Sequence, residues 1–266
     1  MSCPLFHDAL GREVRLPEPP RRIVSLVPSQ TELLADLGLD DEVVGLTRFC
    51  VHPADWKARK TIVGGTKNVN LDRAAALQPD LVLANKEENV REDVNALAEI
   101  APVYVTDVST VTDALAMIRD VGALVGRTDR ALELADSIEV GFNHLNPTRR
   151  QRAAYLIWRD PWMTVGGDTF ISDVMAHAGL DNVYARDTRY PTVTPKDLRS
   201  RQPDVILLSS EPFPFREPHL DEVRALVPDA DIALVDGEVF SWHGSRMRHA
   251  PASLRRMREL TSPPLP

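Results

Sequence analysis

The sequence predicts an α/β fold of two Rossmann-like lobes with mainly parallel sheets, joined by one long α-helix. Three observations predict it. First, short continuous apolar runs alternate with helical segments, as in 23–27, 81–84 and 205–208. Such runs suit parallel strands covered on both faces. Second, the chain resembles itself. LDRAAALQPDLVLANKEEN (71–89) and TPKDLRSRQPDVILLSSEPF (194–213) each give a helix, Gln-Pro-Asp, an apolar strand and a polar loop carrying a glutamate. A looser pair, TELLADLGLDDEV (31–43) and FISDVMAHAGLDNV (170–183), ends in Gly-Leu-Asp. Third, TDRALELADSIEVGFNHLN (128–146) carries one apolar stripe at helical spacing: Ala131, Leu134, Ala135, Ile138, Phe142 and Leu145. Thr128 can cap it and Pro147 marks its end. A helix of that length is roughly 27 Å long. The predicted boundaries are an N-terminal lobe 1–127, a bridging helix 128–147 and a C-terminal lobe 148–266.

The elements follow in order. HDALGREV forms a small hairpin turning at Gly11, and LPEPP an extended connector. A strand at 23–27 leads to the helix TELLADLGL, with Ser29 as candidate N-cap and Gly38 near its end. Strands are expected at 43–46, 61–63, 81–84 and 103–105, and helices at 90–100 and 111–125. TRFCVHPADW reads as loop. After the bridging helix the pattern restarts with a strand at 153–158 and the loop RDPWMTVGGDT, where Asp168 is the expected cap of a helix over 170–178. A short strand at 182–184, a strand at 205–208, the proline-locked loop EPFPFREP, a helix at 219–226, a strand at 232–235 and a terminal helix at 246–260 complete the chain.

Composition excludes several classes. With 31 Lys and Arg against 39 Asp and Glu, the net charge of −8 argues against a nucleic-acid surface. Two cysteines, Cys3 and Cys50, are too few for a disulfide framework. No apolar run approaches the ~20 residues of a membrane span. The opening residues lack the basic and apolar regions of a secretory signal, so Cys3 is not expected to carry a lipid, and the chain read as complete belongs in the cytoplasm.

In open parallel sheets ligands sit outside the carboxyl ends of the strands. Those ends carry Ser29, Arg48, Phe49, His52 and Lys67 in the first half. The second half offers Trp158, Arg159, Trp162, Tyr190, Glu211, Phe213, Phe215, Trp242, His243 and Arg246. Three of the chain's 4 tryptophans are among them, which points to a stacking platform for a flat or bulky ligand. Arg48, Arg159 and Arg246 can grip ligand carboxylates or phosphates, or serve as ordinary ion pairs. His52 and His243, assigned to opposite lobes, can ligate a metal together with Cys50 or Glu211, although no close His or Cys pair supports it. Gly166 to Thr169 reads as an anion loop or a plain turn. No nucleophile elbow, P-loop or carboxylate pair stands out, so no catalytic residue is assigned.

RRIVSLVPSQTELLADLGLDDEVVG, NVNLDRAAALQPDLVLA, TVGGDTFISDVMAHAGLDNV, VTPKDLRSRQPDVILLSS and the FSWHGSR region together resemble cobalamin and iron-chelate binding proteins that serve ABC importers. The resemblance runs from Arg21 to Leu260. It implies two α/β lobes bridged by one rigid helix. It also implies non-enzymatic binding of a corrinoid, ferric siderophore or haem-type chelate in the cleft between them, by a monomer with no intrinsic cofactor. It implies delivery to an ABC permease from the periplasm. In the cobalamin-binding branch an acidic residue on each lobe meets permease arginines. The matching positions are Asp72 and Asp197, aspartates where that branch uses glutamates. Two other readings stay open: a receptor for a bare transition-metal ion, and a cytoplasmic tetrapyrrole or metal-handling enzyme or chaperone.

Overall fold

The computed structural model describes residues 5–261 of the 266; Cys3 lies outside them. The first half contains β1 (Leu5–His7), β2 (Glu13–Arg15), β3 (Ile23–Ser25), α1 (Pro28–Asp36), β4 (Val43–Leu46), α2 (Trp56–Arg59), β5 (Thr61–Ile62), β6 (Gly64–Gly65), β7 (Asn68–Val69), α3 (Leu71–Ala76), β8 (Leu81–Asn85), α4 (Arg91–Ala98), β9 (Val103–Thr106), α5 (Val111–Leu124) and α6 (Thr128–Asn143). The second half adds β10 (Gln151–Trp158), β11 (Met163–Thr164), α7 (Phe170–His177), β12 (Leu180–Asn182), α8 (Pro195–Ser200), β13 (Val205–Ser209), α9 (Glu217–Leu226), β14 (Asp231–Val235), α10 (Gly237–Ser241), a 3-10 turn (Ser245–Arg248) and α11 (Ala250–Thr261).

These elements fall into two compact units. Unit 1 runs to Val108 and adds Thr112–Ser137 and His243–Arg246. Unit 2 comprises Ser109–Val111, Ile138–Trp242 and the chain from Met247 on. The chain passes from one to the other within α6. Of the stripe predicted for that helix, Ala131, Ala135, Ile138 and Phe142 are at most 3% exposed and Leu134 is half-buried, while Leu145, at 5%, lies past the helix end.

Unit 1 holds a five-stranded sheet in the order β5-β4-β3-β8-β9, with every pairing parallel. Val24, Val82, Ala84, Val103 and Val105 cover one face together with Ala74 of α3 and Val94 and Leu97 of α4. Unit 2 holds the order β11-β10-β13-β14, with β12 also paired to β10. All of its pairings are parallel except β10 with β11. Ala154, Leu156, Ile206 and Leu208 pack there with Leu198 of α8 and Val223 of α9.

The internal resemblance is reproduced bond by bond. Gln78 and Gln202 both sit at positive φ, 46° and 47°. The Asp80 carboxylate accepts from the backbone N–H of Arg21 and Arg22, each at 2.8 Å, and the Asp204 carboxylate accepts from the N–H of Arg152 at 2.8 Å. Arg22 Nε donates to Leu77 O at 2.7 Å, past the end of α3, and the Arg152 guanidinium donates to Arg201 O and Gln202 O, past the end of α8. A guanidinium there satisfies carbonyls the helix cannot. The Gly-Leu-Asp pair matches as well. Gly38 and Gly179 follow α1 and α7 at φ 79° and 77°, a conformation that favours glycine.

Several expectations are corrected. Ser29 is not the N-cap of α1: Pro28 starts the helix one residue earlier and Val27 occupies the cap without a side-chain bond. Thr169, not Asp168, caps α7, by accepting from Ser172 N–H, while Asp168 accepts from Arg189 N–H at 2.6 Å. Residues 61–63 hold β5, and the glycines after it begin the β6–β7 hairpin. Helix α2 begins at buried Trp56, the last residue of the stretch that read as loop. The span predicted as one terminal helix, 246–260, is a 3-10 turn followed by α11, and α10 precedes it.

Candidate functional site

Four of the five strands of unit 1's sheet close at their carboxyl ends on a polar side chain: Ser25 on β3, Thr47 after β4, Asn85 on β8 and Thr106 on β9, all at most 3% exposed. They are tied to one another and to α1. Asn85 Nδ2 donates to Thr106 Oγ1 at 3.1 Å, and Gln30 Nε2 donates to the same oxygen. Asn85 Oδ1 accepts from the N–H groups of Glu87 and Glu88, which folds the loop after β8. Thr31 Oγ1 lies 2.8 Å from Ser25 Oγ and 3.0 Å from Cys50 Sγ. Burial pushes the Cys50 thiol pKa up, so it is not a ready thiolate ligand.

Around this fixed base stand the residues singled out from the sequence. Arg48 and Phe49 are exposed on the loop after β4, Phe49 by 53%. Arg48 N–H donates to Gly64 O at 2.9 Å, which sets that loop against the β6–β7 hairpin. Lys67, in the hairpin turn, donates through Nζ to Glu87 O at 2.6 Å. His52 is half-buried on the following loop. His243 is buried at 6% and belongs to unit 1, as His52 does, although it follows unit 2 in sequence. The segment is held there by Arg246, whose Nε and Nη2 donate to the two Glu32 oxygens of α1 at 2.8 and 2.7 Å.

Unit 2's strand ends carry different chemistry. Trp158 ends β10 at 40% exposure and meets Phe213 edge-on, with centroids 5.8 Å apart. Phe213, Phe215 and His219 pack together edge to face. Trp162 stacks on Phe215, 6.1 Å away and 6° from parallel, and both pack on the unit's own core. Arg159 Nε and Nη2 donate to Glu222, and Nη1 to Asp160 at 2.7 Å. Tyr190 lies under Arg189, 5.6 Å from its guanidinium carbon. Glu211 accepts from Ser241 Oγ at 2.6 Å and from Trp242 Nε1 at 2.9 Å, with Trp242 only 8% exposed. Burial is the main cause that raises the Glu211 pKa; the two hydrogen bonds oppose it.

The outcome sorts the sequence-derived residues by physical state. Phe49 and Trp158 are the two exposed aromatics among the large exposed hydrophobics of the described residues. Arg159 and Arg246 spend their guanidiniums on protein carboxylates, whereas Arg48 makes no ion pair with a described residue. Trp162, Phe215 and Trp242 are packing residues of unit 2. Among the described residues no group of three or more His, Cys, Asp or Glu is placed to hold a metal ion. Asp72 is exposed in the first turn of α3, capped by Asn70. Asp197 is half-buried in the first turn of α8, its Oδ1 3.5 Å from Arg201 Nε. A cavity of about 500 Å³ lies elsewhere, between β2 and the chain leading into β9, and none of these residues lines it. Sequence reasoning missed the buried polar base and the acidic partners Glu32 and Glu222. The signal for the first was present: the apolar runs at 43–46, 81–84 and 103–105 stop at Thr47, Asn85 and Thr106.

The description "Periplasmic binding protein" matches residues 23–229, from β3 to beyond α9. The chain belongs to the periplasmic binding protein family. Among curated relatives, an uncharacterized ABC transporter substrate-binding lipoprotein of Bacillus subtilis is 28% identical over 214 residues, 75% of this chain and 67% of its own. A vitamin B12-binding protein of Vibrio parahaemolyticus is 27% identical over 215 residues, 79% of this chain and 77% of its own. Among solved structures, the periplasmic vitamin B12 binding protein of Vibrio cholerae superposes with TM-score 0.80 at 18% identity, covering 91% of this chain and 98% of that one. The periplasmic heme-binding protein of Roseiflexus sp. RS-1 gives 0.78 at 21% identity, covering 91% and 99%. At these identities the two structures speak to fold. This periplasmic binding protein has no helix among the described residues long and apolar enough to cross a membrane.

Proposed function

We propose that this periplasmic binding protein carries a bulky metal chelate, of the corrinoid, haem or ferric-siderophore class, to an ABC permease without chemical change to the ligand. The observation that carries the reading is the pair of exposed aromatics. Phe49 stands on the loop after β4 and Trp158 at the end of β10, one in each unit, where most large apolar side chains among the described residues are covered. Exposed aromatic area costs free energy in water and is recovered against a flat apolar ligand. The names of the relatives, vitamin B12 and heme binders among them, support the same ligand class. The buried hydrogen-bonded base of unit 1 fits a preformed receptor, because it fixes the loops that bear Lys67 and the acidic residues after β8. For the permease, Asp72 is the better placed of the two candidate docking carboxylates, since it is exposed and Asp197 is shared with Arg201.

The test is titration of the purified protein with cyanocobalamin, haem and a ferric siderophore, followed by absorbance and by melting temperature. At least one is expected to bind and raise the melting temperature. Phe49→Ala and Trp158→Ala should each weaken that ligand roughly tenfold, the effect of uncovering an aromatic contact. No shift with any of the three would sink the reading.

A further inference from the structure

The amino end of α1 is built around polar groups that the fold leaves unused. Thr31 N–H makes the first intrahelical bond, to Val27 O at 2.9 Å. Pro28 has no N–H and Val27 offers no side-chain cap, so the N–H groups of Ser29 and Gln30 are donors that the helix cannot satisfy itself. Ser29 is 4% exposed, yet its Oγ has no hydrogen-bond partner among the described residues. Helical side chains tilt toward the amino end, so this hydroxyl leans toward those N–H groups. A second segment packs against the same turn of the helix. Gly244 lies so close to α1 that a Cβ on it would stand 2.9 Å from Ser29 O. Its neighbour Ser245 is fully buried and its Oγ too has no partner among the described residues. Leaving a buried hydroxyl unsatisfied costs about 1–3 kcal/mol, so two of them on segments packed together call for an occupant.

We infer that the Ser29 and Ser245 hydroxyls, with the open amide end of α1, form a seat for a carboxylate on the ligand. The inference rests on the chelate-binding reading and narrows it to chelates with peripheral carboxylates. Two O–H donors and a positive helix end match the two oxygens and the charge of one carboxylate. The nearby charges leave the role open to these groups, because Arg246 is neutralised by Glu32. Gln30 Oε1, also without a partner among the described residues, is an acceptor and takes a donor of the same ligand or water.

The probes are haem, which carries two propionates, haem dimethyl ester, which has the same macrocycle without the charges, and cyanocobalamin. The intact chain should bind haem at least tenfold more tightly than the ester. Ser29→Ala and Ser245→Ala should each weaken haem roughly tenfold and leave the ester unchanged, the loss expected for one hydrogen bond to a charged group. Equal affinity for acid and ester, or equal losses on both, would overturn the inference and assign the hydroxyls to a buried water. A lower melting temperature of the double variant with unchanged discrimination would overturn it likewise. Cobalamin bound and haem refused removes the carboxylate seat and leaves the chelate reading standing; none of the probes bound, nor any ferric siderophore, removes the chelate reading itself.

Discussion

Gln78-Pro79-Asp80 and Gln202-Pro203-Asp204 turn nearly the same corner in the two units. At both, an aspartate accepts backbone N–H groups from the strand beside it and an arginine donates to carbonyls past a helix end. The strands that leave these corners finish in unlike chemistry. β8 ends in Asn85, part of a buried polar lattice with Gln30 and Thr106. β13 ends in Ser209, bonded to Tyr155 Oη at 3.0 Å, beside Glu211 and an aromatic cluster. The amino ends of the strands thus share one device, and the carboxyl ends have diverged. Structural demands are the same at both corners, because each must start a buried parallel strand. Ligand demands act only at the far ends, where each unit presents its own groups.

That contrast can be broken by substitution. The largest effect on stability is expected from Trp162→Ala, about 3 kcal/mol by urea unfolding, because it removes a ring stacked on Phe215 within unit 2's packing. Phe49→Ala should stay within about 0.5 kcal/mol, since that ring is 53% exposed. A comparable loss from both would erase the distinction between packing and presented aromatics. Next come the corners. Asp80→Ala should cost about 2 kcal/mol and Asp204→Ala about 1 kcal/mol, in proportion to two backbone N–H partners against one. A reversed order would show that the corners are not equivalent.

The smallest effect concerns Glu211. Its folded pKa is raised by burial first, with Asp236 and Glu238 adding to the rise and Ser241 and Trp242 opposing it. A raised acid holds its proton in the folded state where the unfolded chain has released it, so stability falls as pH climbs from the ordinary carboxylate range through the raised value. Glu211→Gln keeps an acceptor for Ser241 and Trp242 and removes that slope. Melting temperature against pH should be flatter in the variant across that window, and Trp242 fluorescence should lose its titration there. An identical slope in both proteins would place the titrating group elsewhere.

Much of this could be read from residues alone. The paired Gln-Pro-Asp and Gly-Leu-Asp segments, and the stripe on α6, follow from local rules about helix ends, turns and periodicity, and the structure reproduces them. The family resemblance, drawn from the order of the same segments, agrees with the match over residues 23–229. The strand-end loops were legible as a zone, but the state of each side chain in it was not. Trp158, at the end of β10, and Trp162 are four residues apart. One is presented to solvent and the other stacks within its own unit. The guanidiniums of Arg159 and Arg246 read equally as ligand grips or as ordinary ion pairs, and Glu222 and Glu32 hold them.

The sequence by itself determined the strand and helix succession, the repeated corners and the zone where function would lie, because those depend on neighbours within a few residues. Tertiary structure alone decided which charges are spent on partners 63 and 214 positions away. It decided too that His243–Arg246 joins unit 1, with Gly244 packed against the Ser29 backbone of α1. The physical reason is that ion pairing, burial and hydroxyl satisfaction depend on which distant segments fold against each other, and no local pattern records that choice.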